Sequence, residues 1–153
     1  MKLAFSKAEY VKRLKKVQRE MKKRRIDVLL VTDPGNMNWL TGYDGCSFYV
    51  HQGVIVHVDE AEPYWFGRYM DRSAALLRCY MKEEKLIAYP EEYVQNLNKH
   101  PMDWLARNVF MKKGWQEATV ATEMDNYYYS ADAHFNLVSL LWKARFIDSQ
   151  NLV

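Results

Sequence analysis

The side chains in this sequence best suited to hold a metal or to move a proton near neutral pH are four histidines, His51, His57, His100 and His134. A metal centre needs several His, Cys, Asp or Glu groups to converge, and none of the four falls in an HxH, HxxxH or HExxH pattern. His51 and His57 have the spacing to share a strand face, although a surface or interface position is the commoner outcome for such residues. Cys46 and Cys79 form no CxxC pair and are too few for a disulfide framework. They read as reduced thiols, and Cys46, with no base beside it, reads as a buried structural thiol and not as a nucleophile. No phosphate-binding GxxxxGK[ST] or GxGxxG loop and no GxSxG elbow is present. Tyr127-Tyr128-Tyr129 offers faces on which bases stack, but it stands where a helix should begin, and packing on a sheet is the plainer reading.

The densest chemistry lies between Asn36 and Arg68. Trp39, Tyr43, Phe48, Tyr49, Trp65 and Phe66 alternate there with Asp44, His51, Gln52 and Arg68, and glycines 42, 45, 53 and 67 interrupt them. Apolar bodies with polar tips on loops at strand ends suit a ligand site or a partner surface. A Trp/Tyr-rich core uses the same residue types, and composition alone does not separate the two.

Alternating helices and strands must position these residues. Ser6-Lys7-Ala8-Glu9 is a capping box, with Phe5 and Tyr10 placed as its hydrophobic staple. Tyr10, Leu14, Val17 and Met21 follow at helical spacing, so a helix is predicted over about 7–24. Ile26–Thr32 is a short apolar run that ends at Asp33-Pro34-Gly35 and reads as a buried strand. A helical turn at 36–40 and a two-glycine loop follow. Segments 46–51 and 54–58 are strand-like, either as a hairpin or as one strand with a glycine bulge. Further strands are predicted at 63–66, 86–89, 119–123 and 144–148. Helices are predicted at 69–80, with Met70, Ala74, Leu77 and Met81 on one stripe, and at 102–111 and 131–141. The alternation predicts one layered α/β domain over residues 1–153 with a mixed sheet.

Composition agrees: 49% apolar and 27% charged residues describe a folded globular chain. The N-terminus carries basic residues with no apolar stretch behind them, so no secretory signal is expected, and a cytoplasmic location is. No apolar run is long enough to cross a bilayer. The net charge of +3 divides into +8 over residues 7–25 and −5 over the rest. These cations alternate with the apolar stripe of the first helix, so they read as a solvated face, with no nucleic-acid and no membrane partner.

IDVLLVTDPGNMNWLTGY (26–43), TGYDGCSFYVHQ (41–52), WFGRYMD (65–71), AYPEEYVQ (88–95), HPMDWLA (100–106) and EMDNYYYSADA (123–133) together resemble the N-terminal domain of the creatinase/prolidase/Xaa-Pro aminopeptidase metallohydrolases. Within that family the similarity is greatest to ectoine hydrolases and Xaa-Pro dipeptidase-like proteins. The resemblance implies a ribonuclease H-like, three-layer α/β/α fold with a mixed sheet. It also implies a catalytic C-terminal domain, absent from this chain, that binds two divalent ions (Mn, Co or Zn) and hydrolyses a C–N bond in a small molecule or dipeptide. Asp33 and Asp44 have the spacing of two of the family's metal ligands, but Gly45-Cys46 and Lys99-His100-Pro101 lack the surrounding pattern, so no metal ligand and no catalytic residue is assigned here. The family is typically a homodimer in which this domain helps to cover the neighbouring active site. The resemblance therefore places Tyr43, Phe48, His51, Gln52 and Arg68 at the substrate in trans. Phe48 matches a substrate-contacting Phe of creatinase, while Val50 stands where creatinase has Arg. That difference argues against creatine and leaves His51, Gln52 or Arg68 to supply the polar contact. The alternative is a protein-interaction module of a relative that is not a peptidase.

Overall fold

The computed structural model describes residues 3–153. Helix α1 spans Lys7–Arg24 and buries Tyr10, Leu14, Val17 and Met21, the stripe expected from their spacing. Ser6 Oγ accepts from the Glu9 amide at 3.2 Å. The Phe5 and Tyr10 rings meet edge to face at 6.1 Å and complete the staple. Only half of the capping box forms, because the Glu9 carboxylate accepts from Arg13 instead, at 3.0 Å. The helix ends at Arg25, whose φ of 56° lets the Ile26 amide bond back to Met21 O at 2.9 Å.

Six strands follow: β1 (Val28–Val31), β2 (Gly53–His57), β3 (Tyr64–Arg68), β4 (Leu86–Tyr89), β5 (Thr119–Thr122) and β6 (Arg145–Asp148). Their order across the sheet is β4-β3-β2-β1-β5-β6, and β2 alone runs against the others. Side chains alternate between faces along a strand, so β1 feeds two cores. Leu29 and Val31 pack with α1, with α2 (Pro34–Thr41) and with α3 (Arg72–Arg78). Val28 and Leu30 pack with α4 (Pro101–Leu105), its π-helical continuation to Phe110, and α5 (Ala131–Leu140). The result is the expected three-layer α/β/α domain with a mixed sheet. Among the described residues no helix is long and apolar enough to cross a membrane.

Three expectations fail. Cys46, expected as a buried thiol, is exposed, because it stands at the start of a turn and not in a strand. Segment 46–51 is not a strand: it curls into a turn closed by Val50 N donating to Ser47 O at 3.1 Å, and β2 begins only at Gly53. Tertiary bonds override its β-favouring aromatic composition. The Tyr89 hydroxyl donates to His51 O at 2.8 Å, and Arg68 draws Ser47 and Tyr49 toward the end of β3. The helix predicted at 69–80 also shrinks to Arg72–Arg78 behind a 3-10 turn. Its buried residue is Ala75, which leaves Met70 and Leu77 exposed, so the apolar stripe read from the sequence was rotated from the real inward face.

Gly67 is required by close approach. A Cβ there would lie 2.4 Å from Cζ2 of Trp65, a fully buried side chain. Gly67→Ala is expected to cost about 2 kcal/mol by overpacking, read as about 4–8 °C in Tm. An unchanged Tm would show that the indole has room to move.

Candidate functional site

The carboxyl ends of β1, β3, β4, β5 and β6 and the start of antiparallel β2 all lie along one edge of the sheet. In open α/β sheets this is the edge where loops gather and ligands bind. The 43–52 loop, Arg68, and the 123–130 loop between β5 and α5 meet there.

Phe48 is 60% exposed and Tyr49 59%. Their rings meet edge to face at 5.9 Å, and Phe48 makes a second edge contact with Tyr128 at 6.4 Å. The three rings form an aromatic ridge that spans two loops far apart in sequence. Arg68 holds one end of it. Its Nε donates to Asp71 Oδ2 at 2.7 Å, and its Nη2 donates to Tyr49 Oη at 3.1 Å and to Ser47 Oγ at 3.3 Å. The guanidinium also lies 5.4 Å from the Tyr49 ring centroid. Its charge is held on by the Asp71 carboxylate and, more weakly, by Tyr49.

Tyr43 begins the same loop. Only 2% exposed, it packs on Trp65 with ring centroids 5.4 Å apart. Burial raises its phenol pKa, and its hydroxyl finds no partner among the described residues. Gln52 is also buried, and among the described residues neither of its amide atoms finds a hydrogen-bond partner. His51 sits half-buried with its ring 4.6 Å from that of His100. Burial first, and the neighbouring His100 second, lower its pKa to about 4. His100 Nδ1 accepts from the Met102 amide at 3.1 Å and caps α4, which leaves Nε2 facing Asp132 at 3.6 Å. The structure thus brings Phe48 and Arg68 to one ridge, sets His51 against His100, and places Tyr43 and Gln52 inside the domain.

Asp71 and Glu123 were not singled out in the sequence, and Tyr128 was read there only as the entry to a helix. Glu123 Oε2 accepts from the Thr32 and Asp33 amides at 2.7 and 2.8 Å and from Asn126 Nδ2 at 3.2 Å, while Oε1 accepts from Asn36 Nδ2 at 2.6 Å. This one carboxylate ties the ends of β1 and β5 to the start of α2. With Asp33, Asn126, Tyr128 and Asp148 it lines a cleft of about 400 Å³ beside the ridge. Among the described residues no three His, Cys, Asp or Glu side chains are arranged to hold a metal ion. The residues present therefore do not fit a two-ion centre.

The structure is thus an α/β/α domain with a mixed six-stranded sheet and an exposed aromatic ridge on its loop-bearing edge. The match to the Creatinase/Prolidase N-terminal domain over residues 13–153 makes the chain a member of that family. It is 52% identical to the ectoine hydrolase of Halomonas elongata over 99% of its own length, and it spans 38% of that relative. It is 38% identical to an uncharacterised hydrolase/peptidase of Sinorhizobium fredii, again spanning 38% of the relative. Among solved structures, it superposes with a TM-score of 0.71 on the N-terminal domain of an X-Pro dipeptidase from Streptococcus pyogenes, at 14% identity, covering 91% of this chain and 94% of that one. On a dipeptidase from Pyrococcus horikoshii the TM-score is 0.68 at 16% identity, with 92% of this chain and 35% of the other covered.

Proposed function

We propose that this domain is the substrate-covering, dimer-forming part of a hydrolase that cleaves a C–N bond in a small molecule, with ectoine preferred over a Pro-dipeptide. The observation that carries this reading is the exposed ridge of Phe48, Tyr49 and Tyr128, braced by Arg68 and Asp71 at the loop-bearing edge of the sheet. The 52% identity to an ectoine hydrolase supports the substrate choice. In this reading the catalytic centre, with its two divalent ions, belongs to a following domain of the same protein, and the ridge closes over the centre of the other subunit. An aromatic wall there excludes water and limits the orientations of the bound substrate. His51, neutral at pH 7, supplies a hydrogen bond to a polar group of the substrate. Arg68 uses Nε and Nη2 to fix the ridge and keeps Nη1 for a carboxylate. Tyr43 and Gln52 act from inside the domain, by fixing the base of the loop.

The test uses the full-length protein assayed on ectoine and on Pro-containing dipeptides. Phe48→Ala is expected to lower kcat/KM by about 10–100-fold, the equivalent of one buried aromatic contact. Mixing Phe48→Ala subunits with subunits that lack a metal ligand should restore activity through hybrid dimers carrying one intact site. A Phe48→Ala variant with unchanged kcat/KM, or hybrids that stay inactive, would reject the reading.

A further inference from the structure

We infer that Tyr128 is the positioning residue for Phe48: it sets the angle of the aromatic wall from a separate loop. The inference rests on the reading of Phe48 given above and adds a residue to it.

Phe48 stands on a turn with 60% of its surface exposed, and side chains that open to solvent change rotamer readily. Two rings restrain it. Tyr49 is its chain neighbour and travels with the same turn, so it cannot report where that turn sits relative to the sheet. Tyr128 comes from the β5–α5 loop, eighty residues further along the chain, and meets the Phe48 ring at an interplanar angle of 75°. Edge-to-face contact of this kind has a preferred geometry as well as an energy, so it selects an orientation of Phe48.

Tyr128 can serve as an anchor because its own backbone is fixed. Its amide donates to Asn126 Oδ1 at 2.8 Å, and Asn126 Nδ2 bonds Glu123 Oε2 at 3.2 Å and Thr32 Oγ1 at 3.3 Å. Glu123 in turn holds the Thr32 and Asp33 amides. A line of bonded groups therefore runs from the ends of β1 and β5, at the centre of the sheet, to the Tyr128 ring. Arg68 and Asp71 restrain the same turn from the β3 side. The turn is braced from both sides, and on the β5 side the brace acts ring to ring.

The experiment is a double-mutant cycle in the full-length protein, with Phe48→Ala, Tyr128→Ala and the pair, and with Tyr128→Phe as the conservative variant. Tyr128→Ala is expected to lower kcat/KM about fivefold to tenfold, chiefly through KM, with Tyr128→Phe near wild type because the ring makes the contact. The double variant should be no worse than Phe48→Ala alone, as required if Tyr128 works through Phe48. A full loss from Phe48→Ala with none from Tyr128→Ala, or losses that simply multiply, would overturn the inference and leave the proposed function standing. An inert Phe48→Ala would remove the proposed function itself. If Tyr128→Ala lowers Tm enough to obscure the kinetics, Tyr128→Leu, which keeps apolar bulk without the ring, takes its place. Wild-type kcat/KM in that variant would equally overturn the inference.

Discussion

Glu123→Ala lowers the stability of the domain by about 3 kcal/mol, seen as a drop of about 6–12 °C in Tm. The carboxylate accepts hydrogen bonds from two backbone amides and two asparagine side chains. Bonds to a charged acceptor contribute more than neutral ones, and removing the acceptor leaves its donors short of partners in a partly buried place. Part of the loss is recovered because the site borders an open cleft and water reaches some of the donors. Glu123→Gln should lie between wild type and alanine, since one amide oxygen cannot replace both carboxylate oxygens and the new NH2 group faces donors. Urea denaturation of the three proteins at pH 7 gives the comparison. A loss below about 1 kcal/mol for alanine would mean that the two strand ends are held by packing alone.

Stability should also fall by about 3 kcal/mol between pH 6.5 and pH 4 on account of His51. In the folded chain its pKa is lowered to about 4, by burial first and by His100 second, with Asp132 opposing. In the unfolded chain it returns to about 6.5. Inside that window the unfolded state binds a proton at this position and the folded state does not, so acid favours unfolding. The contribution is fully present above pH 6.5 and is lost as the pH falls through 4. His100, also lowered by burial, adds a slope of the same sign, with Asp132 and Asp103 opposing it. Glu60 and Glu62, both lowered by lysine partners, add further acid sensitivity. The quantity that isolates His51 is therefore the difference between wild type and His51→Asn, measured by denaturation at pH 7, 5.5 and 4.5. Parallel pH profiles for the two proteins would mean that His51 protonates without cost.

Periodicity made the scaffold legible. The Tyr10-Leu14-Val17-Met21 stripe, the run that became β1, and the break at Asp33-Pro34 each depend on neighbours within a few residues, and the structure follows them. The site was legible mainly through resemblance, because its geometry is made at long range. Residues 46–51 alternate like a strand, but Arg68 and Tyr89, from other strands, hold them out of the sheet. Glu123 bonds groups 87 to 91 positions away, and no local pattern marks such a residue. Tyr128 was read as the approach to a helix, which it is, since α5 begins at Ala131. Its edge contact with Phe48 joins two loops that only the folded sheet brings together. The α3 stripe failed for a subtler reason. A 3-10 turn in front of that helix changes the phase of everything behind it, and a sequence wheel assumes constant phase.

The turn before β2 also makes the domain easy to retool. Helix α2 closes at Gly42 and the ladder of β2 opens at Gly53, so residues 44–50 contribute nothing to strand pairing. They are tethered from outside, by Arg78 at Asp44, by the Arg68 guanidinium at Ser47 and Tyr49, and by the Tyr128 ring at Phe48. Apart from Gly45, where any side chain would collide with the buried Tyr43 ring, their identity can therefore drift while the six strands, both cores and the Glu123 clamp stay as they are. Under the proposed function, a lineage that needs a different substrate can rewrite one short turn and keep the chassis, and a library confined to these positions starts from a frame that already folds.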